Sequence, residues 1–264
     1  MVRISSADNP LVRRLRRLAD IPRAGRETER SIAEGVHLVE SALAAKVPIT
    51  AVVISEAASA AVRALADAAA QRAGVRVAEL SRTVYGSIAP VEHGAGILIE
   101  ILIPRPPLPI GQGADAVYLD GIQDPGNAGT LLRTAAAAGV QHVAASAGTV
   151  FLWAPKVLRA AMGAHFAVSI HEDVPPERLV AAFDAERIAA DANGGESLYT
   201  PSWGLRPTVW MFGSEGRGLS AAASGFAQRR LRIPIASAVE SLNVGAAAAV
   251  CLFEQKRRRE QGTK

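Results

Sequence analysis

A chain of 264 residues, 49% of them apolar and 20% charged, is large enough for one or two domains with buried cores, which argues against a disordered protein. Its longest nearly uninterrupted apolar run, residues 244–253, is half the roughly 20 residues that a transmembrane helix needs. The single cysteine, Cys251, excludes an intramolecular disulfide and a cysteine-based metal cluster. No secretory signal is visible, so we expect a cytoplasmic protein without a membrane partner.

Patterns in the first hundred residues predict a small α/β domain. Leu11, Leu15 and Leu18 fall on one face of residues 9–19, which predicts an amphipathic helix with arginines around the rest of its surface. A second helix is predicted from about Ile32. The other predicted elements are strands at 51–55, 75–80 and 94–103 and an alanine-rich helix at 57–73.

The stretch 104–113 contains four prolines and two glycines, which fit neither a helix nor a central strand. We therefore predict a linker there, between an N-terminal domain (1–103) and a C-terminal domain (114–264). In the C-terminal domain strands alternate with helices, which predicts a parallel sheet covered on both faces. The predicted strands are 116–120, 142–146, 166–170, 187–191 and 207–212, and the predicted helices are 128–138, one from Pro155, and 242–259.

Ligands of such sheets bind in the loops at the carboxyl ends of the strands, and unusual residues cluster in three of these loops. In the first, Asn127 and Arg133 follow a predicted strand through a Gly/Pro turn. Asn127 can cap the helix that begins there, and Arg133 is a cation in a mostly apolar helix. Capping alone and an exposed helical arginine are the alternative interpretations.

The second loop follows the predicted strand 207–212 and carries Glu215 between Gly213 and Gly218. Glycines let a backbone approach a ligand closely and adopt positive φ. Their spacing differs from the G-x-G-x-x-G of dinucleotide-binding proteins, which disfavours a nucleotide-cofactor oxidoreductase. The chain has no Gly-Lys pair, so a P-loop nucleotidase is also disfavoured.

The third loop lies between a short predicted strand ending at Ile233-Pro234 and an alanine-rich helix. It carries Glu240, Ser241 and Asn243, for which helix capping is the alternative interpretation. The small residues of the following helix (245–249) permit close packing against another helix or subunit.

Together, in this order and spacing, the three loops resemble the SpoU/TrmH branch of the SPOUT RNA methyltransferases. The resemblance covers residues 120–250 through Asn127 with Arg133, the Gly213–Glu215–Gly218 loop, and Ile233-Pro234 with the segment Ser241 to Val244. The N-terminal hundred residues resemble that family's substrate-binding domain less specifically. Ile235 and Ser237 depart from the family's third motif, which usually has methionine and glycine there.

The resemblance implies an S-adenosylmethionine-dependent 2′-O-methyltransferase acting on a ribose in structured RNA, with 23S ribosomal RNA as the expected substrate. It implies a C-terminal SPOUT domain with a trefoil knot, and a homodimer. The catalytic residues carried over are Asn127, Arg133, Glu215, Ser241 and Asn243. The cofactor-binding residues carried over are Gly213, Gly218, Ile233 and Leu242.

Positive charge is concentrated at the two ends of the chain, although the whole chain carries only +4. Residues 1–30 contain eight arginines against four acids, and residues 254–264 contain five basic residues against two acids. Such clusters fit a phosphate backbone, and solvated tails are the alternative. The predicted RNA-binding residues of the first helix are Arg13, Arg14, Arg16 and Arg17.

Two further hypotheses remain open for the same fold, a tRNA 2′-O-methyltransferase and a non-catalytic RNA-binding or ribosome-assembly factor. Binding of S-adenosylmethionine separates the second from an enzyme. A metallohydrolase has no support, because the five histidines (His37, His93, His142, His165 and His171) show no metal-binding spacing. No metal is therefore expected.

Overall fold

The computed structural model describes residues 1–89, 94–192, 194–201 and 203–262. His93 and the last two residues of the basic C-terminal segment lie outside these ranges. The chain divides into two compact units, one formed by Met1–Pro104 with Trp153–Phe166 and the other by Arg105–Leu152 with Ala167–Lys264. Within the described ranges, every helix is too short or too polar to cross a bilayer.

The first unit contains five strands, six α-helices and a short 3-10 helix among the residues that the structure describes. Its strands are β1 (Val2–Ile4), β2 (Arg30–Glu34), β3 (Ile49–Ser55), β4 (Val77–Leu80) and β5 (Ile97–Leu102). Its helices are α1 (Pro10–Asp20), α2 (Pro22–Thr28), α3 (Val36–Ala44), α4 (Ala60–Ala73), α5 (Arg82–Gly86) and α7 (Pro155–Ala161), followed by the 3-10 helix Ala164–Phe166.

The sheet of this unit is mixed, with strand order β1-β4-β3-β5-β2. Strands β1, β4 and β3 run parallel, whereas β5 is antiparallel to both β3 and β2. The amphipathic helix predicted at 9–19 is α1, capped by Asn9, and its buried face of Val12, Leu15 and Leu18 packs into the core. Leu15 and Leu18 of the predicted face are thus buried, Leu11 is only partly buried, and Val12, which was not predicted, completes the face.

The helix predicted from about Ile32 is wrong at its beginning. Residues 30–34 form strand β2, in which Ile32 lies opposite Glu100 of β5. Gly35 then adopts a φ of 101°, which separates the strand from helix α3. Local helical periodicity is overridden here because pairing with β5 and burial of Ile32 depend on residues about 70 positions away.

The second unit contains seven strands and four helices within the ranges that the structure covers. Its strands are β6 (Ala116–Asp120), β7 (His142–Ala145), β8 (Ser169–His171), β9 (Glu186–Ala190), β10 (Glu196–Ser197), β11 (Thr208–Gly213) and β12 (Arg229–Arg232). Its helices are α6 (Pro125–Ala138), α8 (Pro176–Ala182), α9 (Ala221–Gly225) and α10 (Val244–Gly262).

The predicted parallel sheet is confirmed. All seven strands run parallel, in the order β10-β12-β9-β11-β6-β7-β8. Tyr118 and Met211 face a core that includes Leu179 of α8 and Ala223 of α9. On the other face Trp210 donates a hydrogen bond from Nε1 to Gln255 Oε1 of α10. Helices thus cover both faces, and ligands have access only at the edges where strands end.

The units differ in two places from the division expected from the sequence. Trp153–Phe166 belongs to the first unit, although it follows 48 residues of the second, Arg105–Leu152. Residues 105–113, predicted as a linker, group with the second unit, where the Gly111 amide donates to the Ala181 carbonyl over 3.2 Å. The strand predicted at 166–170 is the end of the 3-10 helix followed by β8.

Candidate active site

A cavity of about 600 Å³ opens at the carboxyl ends of β9, β11 and β12, three adjacent strands of the parallel sheet. This volume lies within the roughly 300–1,000 Å³ of small-molecule sites. Its walls are formed by the residues after these three strands and by the beginning of α10. All four predicted cofactor-binding residues line it, namely Gly213, Gly218, Ile233 and Leu242.

The loop after β11 is a tight hairpin that forms one wall of the cavity. Ser214 and Gly218 exchange two backbone hydrogen bonds, of 3.1 and 2.8 Å. A Cβ atom on Gly213 would lie 2.0 Å from the Gly218 carbonyl carbon, so only glycine fits there. Gly218 adopts a φ of 65°, the left-handed region that favours glycine. These two glycines therefore fix the loop that carries Glu215.

Three side chains from the three sequence motifs form a hydrogen-bonded chain beside this cavity. Asn127 donates from Nδ2 to Glu215 Oε1, and its Oδ1 accepts from Asn243 Nδ2 over 2.9 Å. Because each amide is used on both sides, the chain fixes the orientation of Asn127 between its two partners. The structure thus brings together Asn127, Glu215 and Asn243, which are separated by up to 116 residues in sequence.

The prediction that Asn127 caps its helix is wrong. Asp124 is the N-cap of α6, and its carboxylate accepts from the Asn127 amide over 2.7 Å. Asn127 lies in the first helical turn, which leaves its side chain available for Glu215 and Asn243. A carboxylate at a helix N-terminus also interacts favourably with the helix dipole.

Asn243 caps helix α10 and also binds Asn127. Its Oδ1 accepts from the amides of Gly245 and Ala246, at 2.9 and 3.3 Å, and so caps α10, while its Nδ2 binds Asn127. The small residues after it allow α10 to pack on α6, since a Cβ atom on Gly245 would lie 2.7 Å from Thr130 Cγ2.

The remaining predicted catalytic residues lie outside this hydrogen-bonded chain. Ser241 is exposed and lines the cavity. Arg133 is exposed on α6 and forms no hydrogen bond or salt bridge with any residue that the structure describes. Six residues separate it from Asn127, about 9 Å along the helix axis and roughly 120° around it. Within one chain, Arg133 therefore points away from the amide of Asn127.

The four arginines predicted to bind RNA lie on α1 in the first unit and differ in their partners. Arg14 donates to both carboxylate oxygens of the fully buried Glu100, at 2.8 and 3.2 Å. Arg17 pairs with Glu27, and Arg16 donates to the Ser87 hydroxyl. Arg13 is exposed and has no partner among the described residues. Arg14 thus has a structural role, because it and Arg30 together compensate the charge of Glu100.

The cavity also contains charged residues that the sequence analysis did not select. Asp191 and Arg230 line it and form a salt bridge of 3.0 Å. Asp191 is the last residue of the strand predicted at 187–191, and a carboxylate at the end of a parallel strand is a signal that could have identified it. Arg230 belongs to an arginine-rich strand whose two faces cannot be assigned without the fold.

The histidines of the second unit form a pair that is distant in sequence from the three motifs. His142 Nδ1 lies 3.1 Å from His171 Nε2, on neighbouring strands. Burial lowers the pKa of both side chains, that of His171 to about 4, so the pair is uncharged at neutral pH. Among the described residues, no group of three or more histidine, cysteine, aspartate or glutamate side chains is arranged to hold a metal ion.

The sequence matches the SpoU rRNA Methylase family over residues 115–253, the region that contains the cavity and all three motifs. The chain belongs to this family. Residues 9–98 match the MRM3-like substrate binding domain. These two matches assign one family domain to each side of residues 99–114.

Relatives and solved structures of this family resemble nearly the whole chain. An uncharacterised tRNA/rRNA methyltransferase of Synechocystis sp. is 32% identical, over 96% of this chain and 93% of its own. The 23S rRNA (guanosine(2553)-2′-O)-methyltransferase of Bacillus subtilis is 28% identical over 96% and 98%. The AdoMet-bound rRNA methyltransferase of Sinorhizobium meliloti has a TM-score of 0.85 at 28% identity, covering 97% of both chains.

Proposed function

We propose that this RNA methyltransferase of the SpoU family transfers a methyl group from S-adenosylmethionine to a ribose 2′-hydroxyl of structured RNA, with 23S ribosomal RNA as substrate. The observation that carries the proposal is the hydrogen-bonded chain Glu215–Asn127–Asn243, which joins the three motifs beside the cavity. The Bacillus subtilis relative, whose name specifies 2′-O-methylation of 23S rRNA, supports the substrate.

The cavity fits the adenosyl group in size and in chemistry. Apolar side chains of Phe212, Leu219 and Ile233 line it together with the backbone of the glycine loop. The close approach at Gly213 leaves backbone rather than side chains facing the space. Flat apolar walls with a few polar groups are typical of nucleoside sites. Ile235, one of the departures from the family's third motif, adds apolar surface to this wall.

When bound, S-adenosylmethionine supplies a methyl group already activated as a sulfonium. The protein's task is then to position the ribose hydroxyl and to favour loss of its proton. Asn127 and Asn243 hold the carboxylate of Glu215 at the loop wall, and Ser241 offers a hydroxyl on the same cavity. A guanidinium remains protonated in proteins, so Arg133 acts by donating hydrogen bonds and lowering the hydroxyl's pKa, not as a base.

The proposal extends to the whole protein in three respects. We assign the N-terminal unit to RNA binding, with the arginines of α1 as contacts to phosphates. We assign the trefoil knot to the C-terminal domain and expect a homodimer, both by resemblance to the family. Ala246 is exposed on α10, and this small side chain permits close approach of a second copy. We place the protein in the cytoplasm, with ribosomal RNA.

Replacing Arg133 with alanine tests the proposed chemistry. We expect the rate of methyl transfer to rRNA to fall by roughly 10²–10³-fold or more, because charge stabilisation at the hydroxyl is lost. Affinity for S-adenosylmethionine should change little, since Arg133 does not line the cavity. The rate is measured with tritiated S-adenosylmethionine and the affinity by calorimetry.

Arg178→Ala is the matched control, an exposed helical arginine on α8. It should retain wild-type activity. Unchanged turnover in Arg133→Ala would contradict the assigned role.

Mapping of 2′-O-methyl sites in total RNA with and without the gene identifies the nucleotide, and a site in tRNA alone would overturn the rRNA proposal.

A further inference from the structure

The Asp191 side chain occupies the end of the middle strand of the three that open into the cavity. β9 lies between β12 and β11, and Asp191 follows it directly. Its backbone amide donates to the Leu231 carbonyl over 2.9 Å, which continues the pairing with β12 beyond the end of β9. The side chain lines the cavity and retains 25% of its exposure. The carboxylate is thus fixed by backbone pairing at the floor of the site.

Arg230 fixes the orientation of this carboxylate. The Arg230 guanidinium donates from Nη1 to Asp191 Oδ2 over 3.0 Å, and Nη2 donates to the carbonyl and hydroxyl of Ser224. A hydrogen bond between a guanidinium and a carboxylate restricts the rotation of both side chains. The pair therefore presents an oriented acceptor to the cavity.

Gly195 allows the chain to pass close to the backbone of Arg230. A Cβ atom on Gly195 would lie 2.3 Å from the Arg230 carbonyl oxygen, and Gly195 adopts a φ of 88°. The chain can thus return along β12 because this position carries no side chain.

We propose that Asp191 accepts hydrogen bonds from the ribose hydroxyls of the adenosyl group, with Arg230 as its positioning residue. This inference rests on the proposed use of S-adenosylmethionine. An ionised carboxylate is an acceptor only and matches the two donors of a ribose diol. Acidic residues have this role in other parallel-sheet nucleotide sites. The cofactor's other donors are its ammonium group and the 6-amino group of adenine. The Arg230 guanidinium repels the ammonium group electrostatically, whereas a neutral diol is not repelled. A ligand that lacks the 2′-hydroxyl distinguishes the ribose from adenine.

Calorimetry with two adenosine ligands tests the proposal without relying on turnover. S-adenosylhomocysteine carries the adenosine and the amino acid, whereas 5′-deoxy-5′-methylthioadenosine carries the adenosine without the amino acid. We expect Asp191→Asn to weaken both ligands by a similar factor of roughly 10–100-fold, because hydrogen bonds to a charged acceptor are lost. Glu260→Gln, an exposed carboxylate on α10, is the control and should bind both ligands as the wild type does.

Arg230 is tested by a pair of substitutions. Arg230→Gln should weaken both ligands by the same factor, and Arg230→Lys should recover part of the affinity because a cation again faces Asp191. Loss of affinity for S-adenosylhomocysteine alone in Asp191→Asn would indicate an ammonium contact and overturn the proposal, as would unchanged affinity for both ligands.

A measurement on the wild-type protein keeps the proposal testable if the variants do not fold. The 2′-deoxy analogue of methylthioadenosine should bind about 10-fold more weakly than methylthioadenosine itself. Equal affinity would overturn the ribose contact while leaving the proposed function intact. Failure of the wild type to bind any of the three ligands would instead overturn the proposed function together with this inference.

Discussion

At the scale of single residues, the candidate site depends on Asn127, because its amide connects two loops that have no other side-chain link in the described structure. Removal of this amide leaves Glu215 without a donor and Asn243 without an acceptor. Both partners are part of short segments that line or adjoin the cavity. A small displacement of these segments affects the position of the reacting groups more than it affects stability.

We expect Asn127→Ala to lower kcat by about 10²-fold, the effect typical of a displacement of catalytic groups by about 1 Å. Affinity for S-adenosylmethionine should fall less than kcat, because Asn127 forms no side-chain hydrogen bond with the four predicted cofactor-binding residues in the described structure. Tm should change little, because the core is unaltered. Single-turnover kinetics and a thermal scan check this. Gln123→Ala, an exposed neighbour without a hydrogen bond in the described structure, should behave as the wild type does. A wild-type kcat in Asn127→Ala would disprove the role.

The sequence predicted the residues of this site better than it predicted their contacts. Gly213 and Gly218 could be selected because close approach and positive φ restrict a position to glycine, a local constraint that sequence reports. The partner of Asn127 could not be predicted, because its contact with Glu215 spans 88 residues and requires the sheet to be assembled. The cap of α6 could have been assigned from sequence, because Asp124 stands directly before Pro125, and proline favours the first position of a helix.

At the scale of elements, the packing of α10 on α6 determines where Asn243 meets Asn127. Gly245 of α10 faces Thr130 of α6 so closely that an added Cβ atom would lie 2.7 Å from Thr130 Cγ2. Helix α10 could be predicted from the sequence: the predicted range is 242–259 and the observed helix is Val244–Gly262. Strand β2 could not be predicted, because the local signal of five residues next to a helix is weaker than the helical periodicity around them.

We expect Gly245→Ala to lower the free energy of unfolding by about 1–3 kcal/mol, because the added methyl overlaps the Thr130 side chain. The second substitution Thr130→Ser removes the overlapping Cγ2 and should restore part of the loss. Urea denaturation measures both variants. Gly225→Ala is the control, since no atom lies within 4 Å of its added Cβ. Equal destabilisation by the single and double substitutions would contradict this account.

At the scale of the whole molecule, stability should depend on pH through the N-terminal unit. Both carboxylate oxygens of Glu34 are buried without a hydrogen-bond partner in the described structure. Burial raises the pKa of Glu34 to about 7, although the positive charge of Arg159 partly opposes this. In the unfolded chain the pKa of Glu34 returns to its ordinary value of 4.5. Between these two values the folded protein holds a proton that the unfolded chain has released.

The contribution of Glu34 to the free energy of unfolding should therefore fall as the pH rises from about 4.5 to about 7. Above that range it should stay constant. Glu34→Gln removes this titration. We expect the Tm of the variant to increase relative to that of the wild type between pH 5 and pH 8, as measured by thermal denaturation. A constant difference in Tm across this range would show that Glu34 does not titrate as its burial implies.

If α1 contacts RNA as we propose, its ion pairs also determine how strongly RNA binding responds to salt. The charge of Arg14 is compensated by Glu100, and that of Arg17 by Glu27. Among the four arginines of α1, Arg13 and Arg16 form no ion pair with the residues that the structure describes. Each phosphate contact releases condensed counterions and contributes about 0.7–0.9 to the slope of log K against log salt. The helix should thus contribute a slope of about 1.4–1.8, half of what four arginines would give. Arg13→Gln should reduce the slope measured by filter binding, whereas Arg14→Gln should lower stability by about 1–3 kcal/mol.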